Sequence, residues 1–325
     1  MISRRKVLEL GGAAVGAGVL GTPGFAQEVW PARDIHTICP FPAGSGADVV
    51  VRYYARHLQE KVGKTVVVEN KPGAFGNIAT EATARSKPDG YTVGIMASSA
   101  IAAAPALYKS VPFDPVKDFD QVATLIRVPW LLIVSADSPF KTVADLTAHL
   151  KEKGDKASYG SVANSGLISS ELYKLQFGLQ TVEVKYRDGF AMLNDLYSGN
   201  IVFAHLDATT TTGAMTQGKM RLLAATTKTR AKAFPDVPSA AEAGIMNSDV
   251  SGWWSIAMPK GTPKPILDRL EKIYTEFVTS DEHVKWALSI GLDSFPGDRK
   301  AATEELAKEI DKWHEYVRVA KIEKV

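Results

Sequence analysis

The segment Pro40-Phe41-Pro42-Ala43-Gly44-Ser45-Gly46-Ala47-Asp48 follows the apolar stretch Ile35-His36-Thr37-Ile38-Cys39 and precedes a helical pattern from Ala47 to Lys61. A strand, a glycine-rich turn and a helix in this order are typical of the start of an α/β unit. The first N–H groups of the helix have no partner within it, and the positive end of its dipole points into the turn. We therefore expect the turn to bind an anion, such as a carboxylate.

The same turn matches part of a dinucleotide-binding fingerprint. Gly44 and Gly46 occupy the first two glycine positions, Val49 stands in place of the third, and Glu69 ends the next predicted strand, where an acid that binds ribose belongs. A valine hinders the close approach of helix and strand, and Asp48 would face the pyrophosphate. An exported dinucleotide-dependent oxidoreductase is therefore the alternative interpretation, beside a tight turn without any ligand.

The 325-residue chain is longer than one hydrophobic core usually supports, which favours two domains. Apolar runs rich in β-branched residues alternate with helical patterns. The predicted strands are 35–39, 65–69, 91–96, 130–134, 157–162, 181–186, 201–206, 221–227 and 253–258, and the predicted helices are 47–61, 142–152, 167–177, 190–198 and 209–217. Three more helices follow, the last with a buried stripe at Leu306, Ile310, Trp313 and Val317. This alternation predicts mostly parallel sheets covered by helices.

The N-terminus has the pattern of an export signal. Arg4 and Arg5 precede a weakly apolar run from Leu10 to Leu20, and Gly24-Phe25-Ala26 is a small-x-small site for signal peptidase. The run is much shorter than the roughly 20 residues that span a bilayer, so a membrane anchor is disfavoured. We predict a twin-arginine signal peptide over residues 1–26, cleaved after Ala26, and a periplasmic location.

Charge and residue usage exclude several classes of function. The chain has 38 basic and 36 acidic side chains, and loss of residues 1–26 makes the two numbers equal, so no nucleic-acid partner is expected. The six histidines include no pair at metal-ligand spacing, and no hydrolase or phosphate-loop motif is present. We expect no metal, no cofactor and no catalytic residue. The single cysteine, Cys39, is expected to be a buried, unreactive strand residue.

A second glycine-containing turn, Ser161-Val162-Ala163-Asn164-Ser165-Gly166, also lies between a predicted strand and a predicted helix. Asn, Ser and Gly before a helix are ordinary capping residues, so the turn alone predicts no ligand. If the two α/β units pack together, however, the two turns face each other across a cleft.

Many further segments match one family in order along the chain. They include Trp30-Pro31, Val66-Val67-Val68-Glu69-Asn70-Lys71-Pro72-Gly73-Ala74, Lys87-Pro88-Asp89-Gly90-Tyr91-Thr92, Phe113-Asp114-Pro115-Val116-Lys117-Asp118-Phe119, Phe234-Pro235-Asp236-Val237-Pro238 and Pro259-Lys260-Gly261-Thr262-Pro263. With the first turn, they make the chain resemble the Bug-type receptors, the extracytoplasmic solute-binding proteins of tripartite tricarboxylate transporters.

The resemblance implies a two-domain α/β periplasmic-binding-protein fold of type II, which closes on its ligand like a flytrap. Domain 1 would be discontinuous, over residues 27–127 and 252–325, and domain 2 would comprise residues 128–251. Two strands would cross between the domains, near Arg127 to Trp130 and near Val250 to Trp254.

The resemblance also implies a ligand site formed by the two turns and nearby residues. The ligand-binding residues on one side would be Phe41, Ala43, Gly44, Ser45, Asp48, Ser98 and Ser99, with Asp48 mainly holding the turn by accepting backbone hydrogen bonds. On the other side they would be Asn164, Ser165, Gly166, Arg187, Asp207 and Thr209, with Trp254 near a crossing. Asp207 lies one position from the acid that orients the ligand in many members, and the second turn is about two residues shorter than usual. An indole with Arg187 or His205 in the cleft would suit an aromatic or extended carboxylate.

The sequence thus predicts a non-enzymatic receptor, expected to be a monomer, that captures an organic carboxylate and delivers it to membrane transporter subunits. Besides the oxidoreductase, the remaining alternative is a sensor partner that presents its bound acid to a signalling protein, because transport and sensing need the same cleft.

Overall fold

A computed structural model of the protein describes residues 30–246 and 249–324. The predicted signal peptide lies outside the described residues. The strands are β1 Ile35–Cys39, β2 Val66–Asn70, β3 Thr92–Ala97, β4 Phe119–Val128, β5 Trp130–Ser135, β6 Ser158–Ser161, β7 Val182–Lys185, β8 Phe203–Asp207, β9 Met220–Ala225, β10 Gly252–Pro259 and β11 Asp293–Gly297.

The helices are α1 Gly46–Val62, α2 Asn77–Ala84, α3 Ser98–Ile101, α4 Ala104–Leu107, α5 Val143–Lys153, α6 Asn164–Phe177, α7 Gly189–Ser198, α8 Ala208–Met215, α9 Lys264–Val278, α10 Asp281–Ser289 and α11 Arg299–Val319. Two short 3-10 helices cover Ala74–Gly76 and Gly154–Lys156. In the part of the chain that the structure describes, no helix is long and apolar enough to span a bilayer.

The strands form two separate sheets. Sheet A has the order β11-β4-β10-β3-β1-β2, and sheet B has the order β7-β6-β8-β5-β9. Both sheets are mixed, whereas the sequence predicted mostly parallel ones. The parallel pairs join β1 to β2 and β3, and β6 to β7 and β8. The strands β4, β5 and β10, which come next to the crossings between the sheets, run antiparallel to their neighbours.

The chain crosses between the sheets where the sequence indicated. Only Pro129 separates β4 in sheet A from β5 in sheet B, and the return segment lies between β9 and β10. Thr226 links the two crossings, because its hydroxyl accepts from the Trp130 backbone N–H at 3.2 Å and donates to the Val250 carbonyl at 2.7 Å. The division into domains at residues 127 and 252 stays a prediction.

The hydrophobic pattern of the sequence is realised in the packing. In α11, Leu306, Trp313 and Val317 of the predicted stripe are buried against α4 and sheet A, with Ile310 packed at its border. Cys39 is fully buried, and burial raises the pKa of its thiol to about 11. This confirms the expectation of an unreactive strand residue, since the thiolate is the reactive form.

Three buried histidines are held neutral. The ring of His57 stacks on Phe277, and His283 Nε2 lies 2.7 Å from the Tyr54 hydroxyl. Burial lowers the pKa of His57 and of His283 to about 4, and that of His205 to about 3. The folded protein therefore resists protonation at a pH where an unfolded histidine takes up a proton.

We expect the free energy of unfolding to fall as the pH drops from 6.5, the ordinary histidine value, towards 4. Each neutral histidine contributes up to about 1.4 kcal/mol per pH unit in this window, because only the unfolded chain binds its proton. Urea denaturation of the wild type and of His57→Phe at pH 7 and pH 5 isolates the contribution of His57 to this pH dependence, since both proteins have all other titratable groups. An identical difference between the two proteins at both pH values would contradict the assignment.

Candidate functional site

A cavity of about 70 Å³ lies between the two sheets, at the point where several helices begin. From the sheet A side, the starts of α1 and α3 contribute Ser45, Ser98 and Ser99 to its wall. From the sheet B side, the starts of α6, α7 and α8 form the opposite wall. The positive ends of α1, α6, α7 and α8, each eight residues or longer, thus meet at one small space, which favours an anion there.

The starts of these helices differ in how many N–H groups remain free. Ser45, Asp188 and Asp207 cap α1, α7 and α8 with their side chains. Ala163, at the start of α6, has no side-chain oxygen, so no side chain caps this helix. The first N–H groups of α6 must therefore be satisfied from outside the helix, and Ala163 and Ser165 both line the cavity.

The first turn is held in shape by Asp48. Its carboxylate accepts from the Gly44 N–H at 2.9 Å, from Arg52 Nε at 2.8 Å and from Asn70 Nδ2 at 2.8 Å. Burial raises the pKa of this carboxyl, but the bonds from Arg52, Gly44 and Asn70 outweigh it and hold the pKa below its usual range. Asp48 therefore stays ionised and fixes the turn.

Several predicted residues of the first wall do not line the cavity. Phe41, Ser45, Ser98 and Ser99 line it, whereas Ala43 and Gly44 are exposed and Asp48 is buried outside the lining. Gly44 has φ +79° and open space around its Cβ position, so the turn needs its backbone conformation rather than its small size. The turn thus contributes Phe41, Pro42, Ser45 and Gly46 to the cavity wall, and the set of ligand-binding residues stays a prediction.

On the sheet B side, Asn164 and Gly166 also have roles other than lining. Asn164 Nδ2 donates to the Ser99 carbonyl at 3.0 Å and so joins α6 to α3. A Cβ on Gly166 would lie 2.9 Å from the His205 carbonyl and from the Trp130 ring. Gly166 therefore permits close packing of α6 against sheet B. Ser165, Arg187, Asp207 and Thr209 line the cavity from this side, and Trp254, which lies in β10 of sheet A, lines it from the other side.

The closest approach between the two walls involves residues that the sequence analysis missed. A Cβ on Gly46 would lie 2.8 Å from Thr210 Oγ1 and 3.0 Å from the Thr210 backbone nitrogen. The start of α1 therefore touches the start of α8 across the cleft. Other lining residues that were missed are Ala163, Gly189 and Trp130. The pattern Gly44-Ser45-Gly46 already singled out Gly46, but no residue pattern in the sequence indicated that Thr210 would be its neighbour.

Aromatic rings border the anion-binding space. The rings of Phe41 and Trp254 are 6.4 Å apart at their centroids, and the Trp130 indole packs between Gly166 and Gly252. Trp253, the neighbour of Trp254, is fully buried in the core beside α11. Adjacent strand residues point to opposite faces, and it is Trp254 that faces Phe41.

In the described part of the chain, three charged residues line the cavity, namely Arg187, Asp188 and Asp207, and the Asp188 carboxylate accepts from the Ala191 N–H at 2.9 Å. Arg187 is exposed, and Asp207 accepts from the Thr210 N–H at 2.9 Å while burial raises the pKa of its carboxyl. His205 cannot supply the positive charge that the sequence suggested, because it is buried against Ser170 and its pKa is lowered to about 3. Residues 30–246 and 249–324 contain no group of three acidic, histidine or cysteine side chains that could hold a metal ion.

A family model for the tripartite tricarboxylate transporter family receptor matches residues 50–321 of the chain. The chain belongs to this family. The protein BugT of Bordetella pertussis is 30% identical over 306 residues, which cover 92% of this chain and 94% of BugT. The structure of R. palustris Rpa4515 with adipate matches 91% of this chain and 100% of its own with 30% identity and a TM-score of 0.87.

The structure of the periplasmic binding protein BugD covers the same 91% of this chain with 28% identity and a TM-score of 0.85. These matches confirm the resemblance to the Bug-type receptors and the two-domain α/β binding-protein fold. The tripartite tricarboxylate transporter receptors are periplasmic solute-binding proteins, which is a non-enzymatic class.

The geometry around Gly46 does not favour the dinucleotide interpretation. Glu69, the acid expected to bind ribose, is 2.7 Å from His36 Nδ1 and 3.2 Å from Lys71 Nζ. Thr210 lies against Gly46, where a pyrophosphate would need space. Val49 was expected to hinder the close approach of helix and strand, but its side chain is 45% exposed. The group that blocks a pyrophosphate is therefore Thr210 on the opposite wall.

We expect Gly46→Ala to weaken ligand binding by about tenfold or more, because the added methyl group collides with Thr210 only when the walls meet. Gly213→Ala is the matched control, since Gly213 lies in α8 with open space around its Cβ position and an ordinary φ. Titration calorimetry measures the affinity and thermal melting checks the fold of each ligand-free variant. Equal affinities of the two variants would contradict the close contact.

Proposed function

We propose that this protein is the periplasmic receptor that captures an organic carboxylate and delivers it to the membrane subunits of a tripartite tricarboxylate transporter. The observation that carries the proposal is the uncapped start of α6, which faces the capped start of α1 across a small cavity. Backbone N–H groups and helix dipoles can neutralise a carboxylate without an ion pair. The adipate bound to Rpa4515, a relative with the same fold, agrees with this ligand class.

The site also supports a mechanism of capture by closure. Each wall supplies only part of the donors, so a carboxylate gains its full set of hydrogen bonds when both walls contact it. The Asn164 bond to Ser99 and the Gly46–Thr210 contact join the same two walls. A ligand that bridges the walls therefore shifts the protein towards its closed form, by a hinge motion at the two crossings.

Export and the domain division are parts of the same proposal. The twin-arginine signal over residues 1–26 would bring the folded receptor to the periplasm, and residues 128–251 would move as one domain against the rest. A closed receptor with bound acid also suits presentation to a signalling protein. Delivery to a transporter is proposed because the family to which the chain belongs is the transporter receptor family.

We expect carboxylates to raise the melting temperature of the protein lacking residues 1–26. A ligand at 100 times its dissociation constant stabilises the folded state by about 2.7 kcal/mol. The measurement is a thermal-shift screen of aliphatic and aromatic mono-, di- and tricarboxylates, with NAD, FAD and neutral amides of the same acids as controls. The amides should have no effect, because they lack the negative charge.

Two results would contradict the proposed function. Stabilisation by NAD or FAD alone would favour the oxidoreductase instead. Equal stabilisation by an acid and its amide would show that the helix starts do not select for charge.

A further inference from the structure

A second cavity adjoins the carboxylate space. Its volume is about 530 Å³, against about 70 Å³ for the first. Phe41, Pro42, Val162 and Arg187 belong to the walls of both cavities. The two spaces therefore meet at these four residues, with sheet A contributing the first two and sheet B the others.

The size of the first cavity limits what it can hold alone. Pockets for small molecules usually measure about 300–1,000 Å³, and the first cavity falls far below this range. One water needs about 10–15 Å³ on this measure, so the first cavity has room for about five to seven water-sized groups, such as a carboxylate with a short chain. The second cavity falls within the range, so the two together have room for a ligand with a sizeable body.

The wall of the second cavity is largely apolar. Proline and aromatic side chains, among them Pro72, Tyr108 and Tyr186, form it together with backbone of the loop after β2. The Tyr186 hydroxyl is already bonded to the Asp195 carboxylate at 2.6 Å. Arg187 is the one charged residue of this wall among the described residues. Such a wall suits a hydrocarbon chain or an aromatic ring with an anionic group near Arg187.

The loop that forms this wall is preorganised. Gly73 has φ +133° and Gly76 has φ +100°, and Ala74 between them has φ +45°, which a residue with a Cβ adopts at an energetic cost. A Cβ on Gly76 would lie 2.6 Å from the Ala100 Cβ, so the loop is packed tightly on α3. A strained loop that is fixed by close packing maintains the cavity without a ligand.

We propose that the two cavities form one binding site for an extended carboxylate. Its carboxylate group lies in the first cavity among the helix starts, and its apolar body of four or more carbons, or an aromatic ring, passes Phe41 into the second. Arg187 lies at the junction and pairs with the acid. The inference rests on the proposed function and adds the class of acid.

The wild type should bind hexanoate at least about tenfold more tightly than propionate, because three more methylene groups are buried. 4-Phenylbutyrate should also bind more tightly than propionate. The affinities are measured by titration calorimetry on the protein without residues 1–26.

Ala74 belongs to the wall of the second cavity, and Ala74→Trp adds a large ring to that wall. Because a bulky residue at positive φ is more strained than alanine, thermal melting first checks that the variant folds. We expect it to weaken hexanoate binding about tenfold and to change propionate binding by less than about twofold. Ala307→Trp, at an exposed position of α11, is the control for a surface tryptophan. If Ala74→Trp does not fold, Tyr108→Ala removes an apolar ring from the same wall, and we expect it to weaken hexanoate binding more than propionate binding.

The possible outcomes separate this inference from the proposed function. Failure of every carboxylate in the thermal-shift screen overturns the proposed function. Failure of hexanoate and 4-phenylbutyrate to bind, while another carboxylate does bind, overturns the extended site alone. Binding of propionate as tightly as hexanoate, with no effect of either wall variant, overturns the extended site alone. Ala74→Trp could instead slow the association of propionate and of hexanoate equally and leave both dissociation constants unchanged. That result would make the second cavity an entry passage and would also overturn the extended site.

Discussion

The backbone N–H groups at the start of a helix need hydrogen-bond partners. In this structure the main constraint is where the helix starts that lack such partners are placed. The chain gathers the starts of four long helices from two different sheets around one space, and it leaves α6 without a side-chain cap there. Grouped helix starts are favourable only if a negative charge or water joins them. A bound anion would therefore supply the hydrogen-bond acceptors that the uncapped helix start lacks.

Two further features keep these helix starts in position. Asp48 joins the first turn to α1 and to β2, so that the turn cannot open without breaking bonds to Gly44, Arg52 and Asn70. The single-residue crossing at Pro129 and the Thr226 bonds hold the two sheets at one pivot. The proposed closure therefore needs movement only at this pivot, with the hydrogen bonds inside each wall kept.

Local patterns in the sequence predicted the elements and much of the first wall, because apolar periodicity and glycine turns act over a few residues. They missed β4 and β11, and they could not give the strand directions, which depend on how the chain crosses between sheets. They did not indicate that Gly166 packs against Trp130 or that Thr210 lies opposite Gly46, and the role of Gly166 at the ligand stays a prediction. Positions that come together across a cleft leave no trace in the spacing of residues along the chain.

The backbone N–H donors in the cavity wall affect how the sequence of the protein can evolve. A mutation replaces a side chain but leaves the N–H group of its residue in place, unless it introduces proline. The proposed anion site can thus survive extensive sequence drift, as the fold itself does at a TM-score of 0.87 to a relative with 30% identity. Selection for a new nutrient needs to alter only the surrounding side chains, so one inherited frame can diversify in specificity without rebuilding its anion site.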